Sequence, residues 1–176
     1  MKILALTGPK MVGKSTVANA IADAADVPTH IMSFADPMRS MLLALGVDMI
    51  NLHDQSIKEK EIAGIGKSAR QLMQTLGTDW GRNMVAQDIW LWSMQKRIEK
   101  SKADGARLIV IDDCRFDNEA LWVNQQKGKV VRLARDGFEY GSDNHESEQP
   151  IRFKHMDAMI DASDEEAAAR IILKII

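Results

Sequence analysis

Residues Lys2–Ile21 read KILALTGPKMVGKSTVANAI and carry the clearest fold signal in the chain. It opens with an apolar run, Lys2-Ile-Leu-Ala-Leu6, that predicts a short buried strand. Two glycines follow, Gly8 and Gly13, and from Lys14 to Ala25 the apolar residues recur at helical spacing. The order of strand, glycine loop and helix predicts the start of an α/β domain.

The glycine loop matches the pattern G-x-x-x-x-G-K-[ST] from Gly8 to Ser15. In this motif, the P-loop, backbone N–H groups surround the β-phosphate of a nucleotide, and the helix N-terminus adds positive potential. The ammonium group of Lys14 would reach the β- and γ-phosphate oxygens, and the hydroxyl of Ser15 would ligate Mg²⁺. The motif therefore predicts a nucleotide site.

An acidic pair follows a second apolar run. Leu108-Ile-Val-Ile111 is typical of a strand covered on both faces of a parallel sheet, and it ends in Asp112 and Asp113. A P-loop needs an acidic partner on a neighbouring strand to hold magnesium, directly or through water. Either aspartate is a candidate, because the other can cap the helix that follows.

The rest of the chain alternates between predicted strands and helices. Further strands are predicted at 30–34, 129–134 and 158–160, and helices at 36–45, 69–76, from 85 to near Gly105, 116–126 and 163–174. This alternation predicts one α/β domain over residues 1–176, with a mainly parallel sheet. The stretch Arg135–Pro150 is polar, contains glycine and has no periodicity, which predicts a lid segment.

Composition excludes several classes of protein. The 176 residues fit one domain, and 23 Lys and Arg against 25 Asp and Glu leave no basic excess for binding polymeric nucleic acid. The single cysteine, Cys114, cannot form an internal disulfide, and no apolar run approaches the ~18 residues of a membrane span. We therefore expect a cytoplasmic protein that binds neither a membrane nor polymeric nucleic acid.

Arginine residues outside the P-loop are candidates for a second anion site. They are Arg39, Arg70, Arg82, Arg115, Arg132 and Arg135. A kinase for a phosphorylated acceptor needs such a site, and arginine forks suit phosphate oxygens. Arg70 and Gln74 are four residues apart, on one face of a predicted helix, where they could contact the phosphate and the base. For each arginine, an exposed surface charge is the alternative.

Five motifs together resemble the deoxynucleoside monophosphate kinases of tailed bacteriophages. They are Leu6–Thr16, Ser33–Pro37, Arg70–Arg82 with the sequence LGTDWGR at its end, Asp112–Glu119 with the sequence DDCRFDNE, and His145–Glu148. The resemblance implies a three-layer P-loop kinase fold and transfer of the ATP γ-phosphate to a deoxynucleoside 5′-monophosphate. It also implies Mg²⁺, often a homodimer, and the host cell cytosol if the protein is phage-encoded.

The resemblance also implies roles for particular residues. ATP contacts would come from Gly8, Lys10, Met11, Val12, Gly13, Lys14, Ser15 and Thr16, with Arg132 near the lid. Acceptor contacts would come from Arg70 and Arg82, to which the residue pattern adds Arg39 and Gln74. Catalytic cations would be Lys14, Arg115 and the lid residue Arg135, for which Arg132 is the alternative. The metal would be held by Ser15 and one aspartate. The resemblance favours Asp113, whereas the apolar run followed by aspartate favours Asp112.

Two other interpretations of the P-loop stay open. One is a P-loop kinase of another small acceptor, of the dephospho-coenzyme A or shikimate type, and the other is an ATPase that uses the nucleotide as a conformational switch. A kinase turns over ATP fast only with its acceptor. A switch protein hydrolyses ATP slowly with or without one.

Overall fold

A computed structural model describes residues 1–54, 56–140 and 149–176, apart from the side chain of Phe153. The chain divides into two compact units, of which unit 1 is Met1–Ser33 with Gln95–Ile176 and unit 2 is Phe34–Met94. Each unit has a hydrophobic cluster of its own. Within the described ranges, no helix has both the length and the hydropathy of a membrane span.

The described residues form strands and α-helices in the following order along the chain. The strands are β1 (Lys2–Thr7), β2 (Thr29–Met32), β3 (Leu108–Ile111), β4 (Lys129–Ala134) and β5 (Ala158–Asp161). The helices are α1 (Lys14–Ala24), α2 (Asp36–Ala44), α3 (Met49–His53), α4 (Ala69–Gln74), α5 (Ile89–Ala103), α6 (Asp117–Gln125) and α7 (Glu165–Ile175). A π-helical segment covers Thr75–Val85, and a 3₁₀ turn covers Phe153–His155.

The sheet of unit 1 is parallel, with the strand order β2-β3-β1-β4-β5. The central strand β1 pairs Ala5 with Ile111 of β3 on one side and Thr7 with Arg132 of β4 on the other. Because parallel strands end at the same edge of a sheet, the P-loop after β1 and the aspartates after β3 lie at one edge.

Both faces of this sheet are covered by helices. Leu4 and Leu6 share a buried cluster with Ile172 and residues of α1 and α7. Since successive side chains of a strand alternate between faces, Ile3 and Ala5 point to the opposite face, and α6 packs against β1 and β4. The result is a helix–sheet–helix arrangement. It confirms the predicted α/β fold with a parallel sheet.

Unit 2 is helical, with a small buried cluster formed by Leu42, Val47, Leu52 and Ala69. Helix α2 covers Asp36–Ala44, in agreement with the helix predicted at 36–45. Short helix α3 lies in a region, 46–56, for which the sequence predicts no element.

Helix α4 begins with a capping box at Ser68. The Ser68 hydroxyl accepts a hydrogen bond from the backbone N–H of Gln71, and the Gln71 side chain accepts one from the N–H of Ser68. The sequence predicts that this helix ends at Gly77. Instead the chain stays helical, because the π-helical segment Thr75–Val85 follows α4 directly. The carbonyl oxygen of Gly77 accepts a hydrogen bond from the Trp90 indole at 2.8 Å.

Two predicted helix starts in the second half of the chain were wrong. Helix α5 begins at Ile89, because the π-helical segment occupies the chain as far as Val85. The N-cap of α7 is Asp164, whose carboxylate accepts from the N–H of Ala167 at 2.9 Å. The Ser163 hydroxyl donates instead to Asp161 at 2.7 Å and therefore does not cap α7.

Candidate active site

The P-loop connects β1 to α1 at the carboxyl edge of the sheet, and both of its glycines are needed. Gly8 and Gly13 have φ angles of +144° and +100°, which L-residues with a side chain rarely adopt. A Cβ at Gly8 would also lie 2.6 Å from the carbonyl oxygen of Leu133 on β4. The glycines thus let the loop run close beside β4.

Lys14 is folded back over this loop. Its Nζ donates hydrogen bonds to the carbonyl oxygens of Gly8 at 2.9 Å and Pro9 at 2.7 Å, and only 8% of the residue is exposed. Burial of an ammonium group is costly unless it is hydrogen-bonded, and these carbonyls satisfy it. Phosphate oxygens, which carry full charge, are stronger partners for the same ammonium.

Asp112 contacts the P-loop through Ser15. Its Oδ2 accepts a hydrogen bond from the Ser15 hydroxyl at 2.7 Å, and its Oδ1 accepts one from the Ser33 hydroxyl at 2.5 Å. The backbone of Asp112 is also hydrogen-bonded to β2, because its N–H donates to the carbonyl oxygen of Met32 at 3.1 Å. Ser33 was not predicted as a site residue. The available signal was its place near the end of the strand predicted at 30–34 and at the start of the motif Ser33–Pro37.

The donor set around Ser15 fits a magnesium ion. A serine hydroxyl and a carboxylate are hard oxygen ligands, which Mg²⁺ prefers, and Mg²⁺ in nucleotide sites takes few ligands from the protein. In the described part of the chain, no three His, Cys, Asp or Glu side chains cluster so that they could hold a metal ion. In such sites phosphate oxygens and water supply the ligands that the protein does not.

The loop after β3 is held by a buried carboxylate. Glu119 is 2% exposed, and its Oε2 accepts from the backbone N–H of Arg115 at 2.8 Å and of Phe116 at 3.1 Å. Cys114 is buried beside it; burial first, and then the charges of Glu119 and Asp113, raise the pKa of the thiol well above its ordinary value. The N–H of Cys114 also donates to the carbonyl oxygen of Leu6 at 3.2 Å, so the backbone before Arg115 is held beside β1, the strand that leads into the P-loop.

Arg132 lies on β4 at the same edge, paired in register with Thr7. Its guanidinium carbon lies 5.0 Å from the centre of the Tyr140 ring. Its Nε is buried and has no hydrogen-bond partner among the residues that the structure describes. Burial raises the pKa of the Tyr140 hydroxyl, and the Arg132 charge and a hydrogen bond with Thr7 act against that rise.

Arg135 is paired with a residue that the sequence analysis missed. Its Nη1 lies 3.5 Å from Oε1 of Glu165, and its guanidinium carbon lies 5.6 Å from the centre of the Phe138 ring. The same Glu165 oxygen lies 4.0 Å from where a Cβ on Gly13 would be, so this carboxylate borders the P-loop. Glu165 lies in the first turn of α7, where acidic residues are common because they complement the positive end of the helix dipole. That position was the available signal for Glu165.

The predicted lid is only partly described. Residues 141–148, which include His145, lie outside the described part of the chain. Within the described part, Arg135 and Phe138 form an isolated antiparallel bridge directly after β4. The lid stays a prediction.

The predicted acceptor residues all belong to unit 2. Nη1 of Arg39 pairs with Asp36 at 2.8 Å, and Nη1 of Arg70 lies 3.4 Å from Glu59. Arg82 donates to the carbonyl oxygen of Gln87 at 3.4 Å. Gln74 is the last residue of α4 and is four residues after Arg70, on the same face. The P-loop, both aspartates and the remaining arginines belong to unit 1.

Comparison with known families now adds to this geometry. A family model described as deoxynucleotide monophosphate kinase matches residues 45–169. The chain belongs to the deoxynucleotide monophosphate kinase family. The match begins after the P-loop, so the family and the nucleotide motif are two separate observations. The resemblance predicted from the sequence is confirmed, and the chain is an enzyme, a kinase that phosphorylates nucleoside monophosphates.

Two viral relatives of this kinase family agree. A protein of Acanthamoeba polyphaga mimivirus, provisionally named a deoxynucleotide monophosphate kinase, is 26% identical over 167 residues, which are 86% of this chain and 83% of that protein. The deoxynucleoside-5′-monophosphate kinase of Escherichia phage T5 is 39% identical over 62 residues. That second match covers 35% of this chain and 24% of the phage protein.

A solved structure is similar over nearly the whole kinase chain. Shikimate kinase from Aquifex aeolicus matches with a TM-score of 0.54 at 14% identity, covering 98% of this chain and 94% of that one. At this identity the similarity shows the fold alone. The P-loop kinase fold is thus confirmed, whereas the acceptor must be inferred from the site and the family.

Proposed function

We propose that this kinase transfers the γ-phosphoryl group of ATP to a deoxynucleoside 5′-monophosphate. The observation that carries the proposal is the 2.7 Å contact between the Ser15 hydroxyl and the Asp112 carboxylate at the P-loop. In this contact a P-loop hydroxyl meets an acidic side chain directly after a neighbouring strand, which supports a magnesium–nucleotide site here. Family membership supports the monophosphate as acceptor.

Unit 1 would bind ATP through the loop residues Gly8–Thr16. Lys14 now donates to two loop carbonyls, and it would exchange these bonds for oxygens of the β- and γ-phosphates. Arg132 has a buried donor without a described partner, which an ATP phosphate would satisfy. Arg115 and Arg135 would add positive charge near the transferred group.

Ser15 and Asp112 would hold Mg²⁺, and we propose Asp112 for this role over Asp113. When bound, Mg²⁺ neutralises charge on the phosphates. The Ser33 hydroxyl, which donates to the other oxygen of Asp112, would keep the carboxylate turned towards Ser15. Ser33 is therefore a positioning residue for the metal site.

The transfer itself needs no general base. A phosphate oxygen of the acceptor is already ionised near neutral pH, so it can attack the γ-phosphorus directly. A bond forms between that oxygen and the γ-phosphorus, while the bond to the β–γ bridging oxygen breaks and leaves its electron pair on ADP. The cationic side chains stabilise the negative charge that develops on the bridging oxygen.

Unit 2 would bind the acceptor. The acceptor phosphate would replace Glu59 as the partner of Arg70, whose side chain is 15% exposed. Gln74 has both a donor and an acceptor, which suits a base edge. Arg39 and Arg82 are further candidates for binding the acceptor phosphate. We also propose that both units act as one kinase domain.

A coupled assay of ADP release tests this function. Purified protein with Mg²⁺ and ATP receives dAMP, dGMP, dCMP, dTMP or each ribonucleotide in turn, with shikimate, dephospho-coenzyme A and no acceptor as comparisons. We expect fast ADP release with deoxynucleoside monophosphates, and none with shikimate, with dephospho-coenzyme A or without an acceptor. ADP release that depends on shikimate or dephospho-coenzyme A would favour a kinase of another small acceptor. ADP release at the same slow rate with and without every acceptor would favour a switch ATPase.

The Lys14→Ala variant tests whether the P-loop performs the transfer. We expect ADP release to fall to background while the circular dichroism spectrum is unchanged, because only a side chain at the loop is lost. Lys96→Ala is the matched control, since Lys96 forms an exposed pair with Glu99 at 3.0 Å on α5. Its activity should equal that of the unmodified protein.

We also propose that the enzyme works in the cytosol of a host cell as a homodimer. The mimivirus and phage relatives support a viral origin, and with it the host cytosol. Sedimentation equilibrium of the purified protein tests the assembly state. A mass of one chain at all concentrations would rule out the dimer.

A further inference from the structure

The contact between Arg132 and Tyr140 is unusual because it leaves hydrogen-bonding capacity unused. A guanidinium group has five N–H donors, and a buried donor without a partner is costly. Yet Nε of Arg132 is buried and has no partner in the described part of the chain, and the contact found for the guanidinium is an aromatic ring. An apolar side chain would fill this place on β4 without that cost.

Tyr140 is anchored at the same point of the sheet. Its ring lies 5.0 Å from the guanidinium carbon of Arg132, and its hydroxyl shares a hydrogen bond with the side chain of Thr7. Thr7 is the last residue of β1, immediately before the P-loop, and is the register partner of Arg132. One tyrosine side chain therefore touches both strands where the phosphate-binding loop begins.

We propose that Tyr140 is a positioning residue, whose ring holds the guanidinium of Arg132 so that its donors face a phosphate of bound ATP. This inference rests on the proposed function, which supplies the phosphate. Aromatic faces attract guanidinium groups without using their N–H donors. The ring thus restrains Arg132 in one orientation and leaves its hydrogen bonds for the nucleotide.

The two parts of the Tyr140 side chain have different expected roles. The ring restrains Arg132, whereas the hydroxyl bonded to Thr7 fixes the ring. Loss of the hydroxyl alone should be tolerated, because the ring keeps its other contacts. Loss of the ring should leave Arg132 free to move, which lowers the rate more than it changes binding of the acceptor.

Steady-state kinetics of Tyr140→Phe and Tyr140→Leu separate these roles. We expect kcat of Tyr140→Phe within about threefold of the unmodified enzyme, and kcat of Tyr140→Leu lower by roughly 3- to 30-fold, with the acceptor KM unchanged. Trp92→Leu is the control, since it makes the same kind of change at an aromatic residue that is 63% exposed. Equal kcat values for Tyr140→Leu and the unmodified enzyme would overturn the inference, as would a loss confined to the acceptor KM.

A spectroscopic measurement gives a readout that does not require turnover. Tyr140 is the single tyrosine of the sequence, so tyrosine-selective ¹³C labelling reports on this ring alone. Addition of inorganic tripolyphosphate should shift the ring resonances in the unmodified protein, and the shift should be absent in Arg132→Ala. An identical shift in both proteins would contradict a phosphate bound by Arg132 beside the ring.

These outcomes distinguish the inference from the proposed function. If no deoxynucleoside monophosphate is phosphorylated, the proposed function fails, whatever the spectra show. If the enzyme is active but Tyr140→Leu matches it and the spectra do not depend on Arg132, the function stands and this role for Tyr140 is wrong. If Tyr140→Leu does not fold, the spectra decide: a tripolyphosphate shift of the Tyr140 ring that is lost in Arg132→Ala supports the inference, and an identical shift in both proteins overturns it.

Discussion

Asp112→Asn is the most informative change, because it removes a charge at the metal site and little else. Asp112 accepts hydrogen bonds from Ser15 at 2.7 Å and from Ser33 at 2.5 Å. Asparagine keeps one acceptor oxygen, and a serine hydroxyl can rotate to accept from the new amide. We therefore expect the free energy of unfolding to fall by no more than about 1 kcal/mol.

The effect on magnesium should be larger than the effect on stability. Loss of a carboxylate that supports a metal site typically costs about 10- to 100-fold in metal affinity, which is about 1.4–2.7 kcal/mol. The assay is the initial rate of ADP release at fixed ATP and acceptor, as free Mg²⁺ is varied. Half-maximal rate should require about 10- to 100-fold more Mg²⁺ in Asp112→Asn.

Asp113→Asn is the matched control, since it makes the same change one residue further along the chain. We expect less than about a threefold change in its Mg²⁺ requirement, because Ser15 donates its hydrogen bond to Asp112. An Asp113→Asn variant with the larger requirement would refute the reasoning and assign the metal to Asp113. If neither variant changes the requirement, the acidic strand does not serve the metal.

Three further predictions concern acceptor binding, stability and the buried thiol. Arg70→Ala should raise the acceptor KM by roughly 10- to 100-fold and leave the KM for ATP unchanged, since a charged hydrogen bond contributes about 1.5–3 kcal/mol; equal rises in steady-state kinetics would place Arg70 elsewhere. Gly81→Ala puts a Cβ 2.8 Å from Nε1 of Trp90, so the free energy of unfolding measured in urea should fall by about 1–3 kcal/mol. An unchanged urea midpoint would contradict this packing. Burial raises the pKa of Cys114, so the folded thiol stays protonated at pH values at which the unfolded thiol, of pKa about 8.5, has ionised. The free energy of unfolding should therefore fall as pH rises above about 8.5, and iodoacetamide at that pH should label Cys114 much faster in urea than in the native protein.

Local sequence patterns were enough to predict the parallel-sheet fold and the nucleotide loop. Both depend on patterns within a few residues: an apolar run such as Leu108–Ile111, helical periodicity after Lys14, and glycines at Gly8 and Gly13. Such patterns reflect local backbone conformation and burial, so they can be read without knowing what packs where. Local patterns also identified both candidate aspartates, but they could not choose between them.

Tertiary structure decided which of the two aspartates meets Ser15. The choice follows from the register of β3 between β1 and β2, which brings the hydroxyls of Ser15 and Ser33 to opposite oxygens of Asp112. Residues far apart in sequence set that register. A one-residue slip would turn the neighbouring side chain to this face instead.

Packing between distant elements also decided two features that local patterns do not carry. Glycine commonly ends a helix, yet the chain remains helical through Gly77, whose carbonyl oxygen accepts a hydrogen bond from the Trp90 indole. Tyr140 showed no motif, and only the pairing of β1 with β4 brings Thr7 and Arg132 together beneath it. Local sequence sets which conformations the backbone prefers, whereas contacts between separate segments select the partners, because their energy depends on positions that only the folded chain defines.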